Sequence, residues 1–370
     1  MKNTKIIIKT KSKSYPIFFG KKILNTIGKK IEKKLPNVKK ISIICDKNLP
    51  KIFQKKLNKS LKKYDLKIYK IKANEKTKSF RVAQKIIEDI LQNNFNRSDC
   101  IIAFGGGIIG DLSAFVANLA KRGMKFINIP TTLLAQSDAA IGGKTAINSN
   151  QGKNLIGTFY QPDFVLIDSE ILDSLPHREM ICGYGEILKH SLISNRKFFL
   201  WLNKNANKLI KDKNKKLLQL AIIQSCKIKS KIVSKDEKEK NLRMILNFGH
   251  TFAHGFEGAK NFSRKLNHGE AVLLGMMAAC QLSYEKKLLS INDLNLVKKH
   301  YEEINLPTKI NKIFKKSEIS KIVYFMQKDK KNLNEKINLI LLKKIGNTAK
   351  PGSFKIKGSE IKKFLIRNYN

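Results

Sequence analysis

The sequence is short of acid. Its 370 residues hold 29 Asp and Glu against 74 Lys and Arg, giving a formal charge of +45. Lys stands almost everywhere that Arg could, and Asn and Ile are abundant between the lysines. Two readings compete. A polyanion-binding surface would cluster Lys and Arg among aromatics. Compositional drift from AT-rich codons would scatter Lys along the whole chain, as here, so drift is favoured and no nucleic-acid partner is expected. The charge still helps attract an anionic substrate. Cysteine is scarce too. Cys45, Cys100, Cys182, Cys226 and Cys280 are odd in number, far apart and never spaced CxxC. That pattern excludes a disulfide framework and a zinc ribbon, and predicts buried thiols in a reducing, cytoplasmic setting. Long apolar runs are also missing. The N-terminus has only three consecutive apolar residues, too few for a secretory core. Ile101–Ala120 is nearly uncharged but carries Asp111 and several glycines. It predicts a buried strand, a tight loop and a buried helix, not a membrane span.

What is present suits two domains. Residues 4–19 alternate apolar and polar, as two short strands would. Helix-like stretches at 22–34, 49–62, 79–91 and 108–122 then alternate with apolar runs at 41–45, 66–71, 100–104 and 125–130, and Phe164–Asp168 closes the series. The expectation is an α/β fold: a Rossmann-like, mostly parallel sheet domain over residues 1–174. From about Leu175 the texture turns helical, with Arg178–Leu192, Leu217–Ser234, Leu242–Glu257, Gly269–Glu285 and Asp293–Glu303 as helices and Lys336–Ile345 as a strand. The Lys/Asn-rich pieces at 204–216 and 235–241 look like solvated loops or helix ends. Residues 175–370 are thus expected to form a mainly α-helical, metal-binding domain, with the active site in the cleft between the two.

Three of the six histidines, His250, His254 and His268, fall close together. His250 and His254 are one helical turn apart, which fits either a metal pair or two surface histidines. Glu186, in the run Cys182-Gly-Tyr-Gly-Glu-Ile-Leu-Lys189, is a carboxylate among small and apolar residues, so a metal or a cation is its expected partner. One Glu with two His is the donor set of an open, catalytic zinc site. Phe104-Gly-Gly-Gly-Ile-Ile-Gly-Asp111 follows a strand and opens a helix, which suits a phosphate or simply a tight turn. It satisfies GxGxxG but lacks the acidic residue about twenty positions on. Pro130-Thr-Thr supplies hydroxyls at a helix start, Gly142-Gly-Lys144 aims an ammonium, and Lys153 follows nine residues later.

Together, Pro130–Asp138, Ile141–Asn148, Gly152–Gly157, Leu246–Thr251 and Asn267–Val272 resemble the motifs of the 3-dehydroquinate synthase family, in the family's order and over most of positions 100–280. The resemblance implies an enzyme that converts 3-deoxy-D-arabino-heptulosonate 7-phosphate to 3-dehydroquinate and phosphate. It would do so by transient NAD-dependent oxidation at C5, phosphate elimination, re-reduction and an aldol ring closure, in the shikimate route to aromatic amino acids. Implied cofactors are NAD and one divalent metal, Zn or Co. By motif the metal ligands are Glu186, His250 and His268, and His254 moves to the substrate as a hydrogen-bond or proton-transfer group. Asp138, Lys144, Asn154, Lys189, Lys229, Arg243 and Asn247 match substrate positions, and Lys330 or Lys331 adds a phosphate contact. Arg122 matches an arginine that reaches the site from the other subunit, which implies a homodimer. For NAD the matching residues are Asp46, Glu75, Lys78, Gly106, Gly107, Ile108, Ile109, Gly110, Asp111, Thr131, Thr132, Lys144 and Lys153, with Ile171, Leu172, Asp173, Ser174 and Glu179 lining the same site.

Two departures stand out: Ala73-Asn-Glu75 where Asp-Gly-Glu is usual, and Ala253 where Gly is commoner. Neither removes a functional group. Other sugar-phosphate cyclases share the glycine loop and the ligands; Lys229 with Arg243 favours the carboxylated substrate. A simple polyol dehydrogenase has no use for so many cations. If Leu242–Glu257 is one helix, Arg243, Asn247, His250 and His254 all lie along one side of it.

Overall fold

Short, continuous apolar runs build a sheet whose central strands are buried on both faces. Its strands come from β1 (Thr4–Lys9), β2 (Ser14–Gly20), β3 (Lys40–Asp46), β4 (Asp65–Ile71), β5 (Cys100–Gly105), β6 (Lys125–Pro130) and Phe164–Asp168. With β7 (Lys144–Ser149) and β8 (Gly152–Phe159) forming a separate hairpin, Phe164–Asp168 is β9. The sheet order is β1-β2-β9-β6-β5-β3-β4, parallel except for the β1–β2 hairpin at its edge. Ile41, Ile43 and Cys45 of β3 and Cys100, Ile102 and Phe104 of β5 pack on one face, against Ile27 and Ile31 of α1 (Ile27–Lys34) and Phe53 and Leu57 of α2 (Lys51–Ser60). Ile44, Ile101 and Ala103 point the other way, onto Ile86 and Ile90 of α3 (Phe80–Gln92) and Leu112 and Val116 of α4 (Gly107–Leu119). Each such aliphatic side chain contributes about 1.5–3 kcal/mol by leaving water.

The computed structural model describes residues 3–263, 265–328 and 336–369. The chain divides into two units, Met1–Pro176 with Lys213–Glu237, and His177–Asp212 with Lys238–Asn370. After β9 it enters the second unit through α5 (His177–Ser194) and α6 (Arg196–Ile210), and returns to the first with α7 (Lys215–Lys235). α7 packs on the β1–β2 hairpin and on a π-helical turn at Ala135–Ala139. A single cut after Ser174 does not describe this division.

The second unit is mainly helical: α5, α6, α8 (His250–Ala259), α9 (His268–Glu285), α10 (Ile291–Glu303), α11 (Ile319–Gln327) and α12 (Gly358–Arg367). Its core centres on α9, buried from Ala271 to Cys280 and packed by α5 and α8. The fold is therefore mixed α/β, a parallel-sheet unit and a helical unit. All five cysteines are buried and reduced. Ile101–Ala120 is a strand, a loop and a buried helix, and no described helix is long and apolar enough to cross a membrane.

Several boundaries differ from the sequence reading. Leu242–Glu257 is not one helix: a 3-10 turn, Leu242–Asn247, ends at Phe248, and Gly249 turns the chain with φ 77° before α8 begins. Only glycine adopts that backbone without strain. Arg243 and Asn247 thus do not share a helical face with the histidines. Lys336–Ile345 is two strands in two small sheets, Lys336–Leu339 with Phe354–Lys357 and Leu342–Lys344 with Asn347–Thr348. Its buried run from Leu339 to Leu342 has no alternation to hold one register. α6 runs to Ile210, so the stretch from 204, read as a solvated loop or helix end, begins as a helix end; Phe198, Phe199, Leu202, Ala206 and Leu209 recur at helical spacing.

Candidate functional site

In the second unit, α5 carries Glu186 and Lys189 one turn apart, both fully buried and paired to each other. His250 is the first residue of α8 and His268 the first of α9. The start of α9 is fixed by a capping box: the Asn267 side chain accepts from the Glu270 N–H at 2.9 Å, and Glu270 accepts from the Asn267 N–H at 3.0 Å. Gly269 lets α9 meet α5 closely, since a Cβ there would lie 2.3 Å from the Cys182 Cα. His268 is thereby delivered to Glu186.

His250 Nε2 lies 3.5 Å and His268 Nε2 4.0 Å from Glu186 Oε1, and one ligand atom from each of the three residues falls within 4.8 Å of the others. Ligand bonds of about 2.0–2.1 Å around a tetrahedral ion separate donors by about 3.3 Å, so the three need only a small inward shift. The second nitrogens are held as a metal site requires. His250 Nδ1 meets the Phe248 carbonyl at 3.2 Å, and His268 Nδ1 meets Glu257 Oε2 at 3.1 Å. Burial, helped by the Lys189 ammonium, pushes His250 down to about 4, so its imidazole is neutral and ready to donate. The donor set fits a divalent cation.

His254 follows one turn after His250, with ring centroids 6.2 Å apart. Arg243 is fully buried in the preceding turn, and Asn247 donates to Glu239 at 2.8 Å. Thus Glu186, Lys189, Arg243, Asn247, His250, His254 and His268 all belong to the second unit. Sequence reasoning missed Glu257, although its place three residues after His254 was a signal. It also missed Glu270, which grips Arg178 at 2.6 and 2.7 Å.

In the first unit, β3 leads to β4 on one side, and α3 then crosses to β5 on the other. The carboxyl ends of β3 and β5 are thus a topological switch point, where open α/β sheets bind ligands. Asp46 ends β3, and Gly105-Gly-Gly107 leads from β5 into the N-terminus of α4. A Cβ on Gly106 would come 3.0 Å from the Thr132 methyl, so glycine lets this turn pack against Thr132, and the helix N-terminus that follows favours an anion. Ile109 is core, while Gly107, Ile108 and Gly110 lie along the first turn of α4. Thr131 N–H bonds the Gly105 carbonyl, and Thr132 Oγ1 accepts from Ala135 N–H. These features fit a dinucleotide.

A polar network lies in the same unit. Buried Lys78 bonds both Asp111 and Asn154. Lys153 pairs with Glu75 at 3.2 Å, and Asn148 links Glu75 to the Asn154 backbone. Lys153 and Asn148 outweigh burial and hold Glu75 below its ordinary range. Asn154 itself has φ 58°. Lys144 shares a small cavity with Gly110 and Asp111. Asp138, in the π-helical turn, pairs with Lys229 of α7 at 2.8 Å. Asn148 had no sequence signal beyond its motif.

Other residues stand apart. Arg122 lies past the end of α4, closing the 3-10 turn Ala120–Arg122 with φ 57°. Ile171 and Leu172 are core residues, Asp173 pairs with Lys215 at 2.7 Å, and Ser174 ends the same 3-10 turn. Glu179 is in α5, in the second unit, and burial raises its carboxyl. Lys330 and Lys331 lie outside the described residues.

Residues 68–182 match the 3-dehydroquinate synthase N-terminal family model, and residues 183–332 match the C-terminal one. The chain belongs to the 3-dehydroquinate synthase family. Among curated relatives, the 3-dehydroquinate synthase of Pelagibacter ubique is 49% identical over 343 residues, covering 93% of each chain. That of Thermoanaerobacter pseudethanolicus is 39% identical, over 97% of this chain and 99% of its own. A solved 2-deoxy-scyllo-inosose synthase, in complex with carbaglucose-6-phosphate, NAD+ and Co2+, is 26% identical with a TM-score of 0.83, over 99% of this chain and 100% of that one. 2-epi-5-epi-valiolone synthase from Streptomyces hygroscopicus shares the fold, with a TM-score of 0.84 at 23% identity over 96% of each chain. Both halves of the family are thus present in this chain, together with the side chains its motifs imply.

Proposed function

We propose that the protein converts 3-deoxy-D-arabino-heptulosonate 7-phosphate to 3-dehydroquinate and phosphate. Family membership over most of the chain supports the reaction, and the convergence of Glu186, His250 and His268 is the observation that carries it. The first unit is read as the NAD-binding domain and the second as the metal-binding domain.

Glu186, His250 and His268 would hold one zinc or cobalt ion, which supplies Lewis acidity to the substrate hydroxyls. The Gly106–Gly107 turn and Asp46 would hold NAD, which would supply a transient hydride acceptor. The chain's own groups do the rest. Lys189, Lys229 and Arg243 bind the carboxylate and phosphate of the substrate, whose combined negative charge several cations are needed to match. Asp138, Lys144, Asn154 and Asn247 orient its hydroxyls. His254, beside the ligand His250 but aimed elsewhere, holds or moves a proton at the substrate. Lys229 with Arg243 is the reason to favour a carboxylated heptulosonate phosphate over a sugar phosphate that lacks the carboxylate.

The reading includes a homodimer. It rests on Arg122, in the turn after α4, which matches an arginine that in the family reaches the site from the other subunit. The setting is read as cytoplasmic, where the thiols stay reduced. The test is turnover: phosphate release from the heptulosonate phosphate, with NAD and a divalent metal present.

A further inference from the structure

We infer that Glu257 is a positioning residue for the metal site: its carboxylate accepts the Nδ1–H of His268 and so presents His268 Nε2 toward Glu186 and His250. The inference rests on the reading of these three residues as metal ligands.

Glu257 is 5% exposed, and its Oε2 lies 3.1 Å from His268 Nδ1. A carboxylate buried to that degree needs a donor, and the imidazole N–H supplies a charge-assisted bond. Glu257 sits on α8, seven residues after His250 and three after His254, on the same helical face. One helix therefore carries one ligand and steers another that belongs to α9. The two histidines are held differently. His250 has a neutral backbone carbonyl behind it, whereas His268 has a carboxylate. His268 needs the stronger hold, because its side chain is 40% exposed, against 14% for His250. An N–H bonded to a carboxylate fixes the tautomer with the lone pair on Nε2 and makes that nitrogen the better donor.

The experiment uses the full chain with Glu257→Gln and Glu257→Ala. Zinc affinity is measured by competition with a chromophoric chelator, without NAD or substrate. Long-range proton–nitrogen correlation of the metal-free protein reads the His268 tautomer. The parent should hold His268 with its proton on Nδ1. Glu257→Ala should lose that preference and bind zinc about 10–100-fold more weakly. Glu257→Gln, whose amide oxygen still accepts the Nδ1–H but carries no charge, should fall between the two, and it keeps the test open if truncation unfolds the protein. Parent-like zinc affinity in both folded variants, or an unchanged tautomer in Glu257→Ala, overturns the role of Glu257 alone. A parent that binds no zinc overturns the ligand reading with it.

Discussion

His250 Nε2 faces Glu186 Oε1 across 3.5 Å, with Lys189 paired to the same carboxylate. Two opposing demands meet there. The ammonium steadies the buried carboxylate, and together with burial it keeps the imidazole neutral. A cation arriving between the two therefore finds a neutral imidazole beside the carboxylate.

Removing a ligand should empty the site without unfolding the chain. His268→Ala is expected to lower zinc affinity by more than about 100-fold, beyond what loss of a supporting group costs, and to abolish turnover. Metal content and circular dichroism check this. A variant that retains metal and turnover removes His268 from the ligand set.

His254→Ala should behave differently. Metal content should match the parent, while kcat falls by about 10²–10⁴-fold, the usual range for a lost proton-transfer group. Loss of metal from this variant would return His254 to the ligands.

Much of this centre was legible in the sequence, and the reasons for the rest are physical. The helix from Gly269 was legible, whereas the capping box of Asn267 and Glu270 that fixes its start went unread although it is local chemistry. The pairing of Glu186 with His250 was not legible from spacing, since it depends on how α5, α8 and α9 pack. Resemblance to a family supplied it. The break at Gly249 was hidden because Arg243, Asn247, His250 and His254 happen to fit a helical repeat; one positive φ overrides it. The sheet was readable from short apolar runs set between helical stretches, with alternation only in residues 4–19. The return of α7 to the first unit was not, since amphipathicity shows that a face is buried but not against what.

Lys78→Met tests the network of the first unit. It leaves Asp111 and Asn154 without their shared ammonium. The loss of stability should stay below about 3 kcal/mol, because Asp111 keeps 25% of its side chain exposed. NAD affinity should weaken by about tenfold or more, some 1.4 kcal/mol. Parent-like NAD binding by titration calorimetry would detach Lys78 from the cofactor site.

The second unit carries an acid-labile element away from the proposed ligands. His300 is buried, with Nε2 2.8 Å from the Tyr184 hydroxyl, and burial lowers it from 6.5 to about 4. A histidine lowered on folding contributes stability above its unfolded pKa and loses it as the pH falls from 6.5 toward 4. By pH 5 the loss should reach about 2 kcal/mol. Urea unfolding of the metal-free protein, followed by its single tryptophan, Trp201 of α6, reports on this unit. His300→Phe should be less stable than the parent at pH 8 but lose less between pH 8 and pH 5. Identical pH dependence in both proteins would mean that His300 does not titrate in this range.

The central claim is tested most directly by one assay. The purified protein is given 3-deoxy-D-arabino-heptulosonate 7-phosphate with NAD and zinc or cobalt, and phosphate and dehydroquinate are followed together. The account predicts equal release of both, no net NADH, and no turnover once a chelator has removed the metal. A well-folded, metal-loaded protein that releases neither product would contradict it.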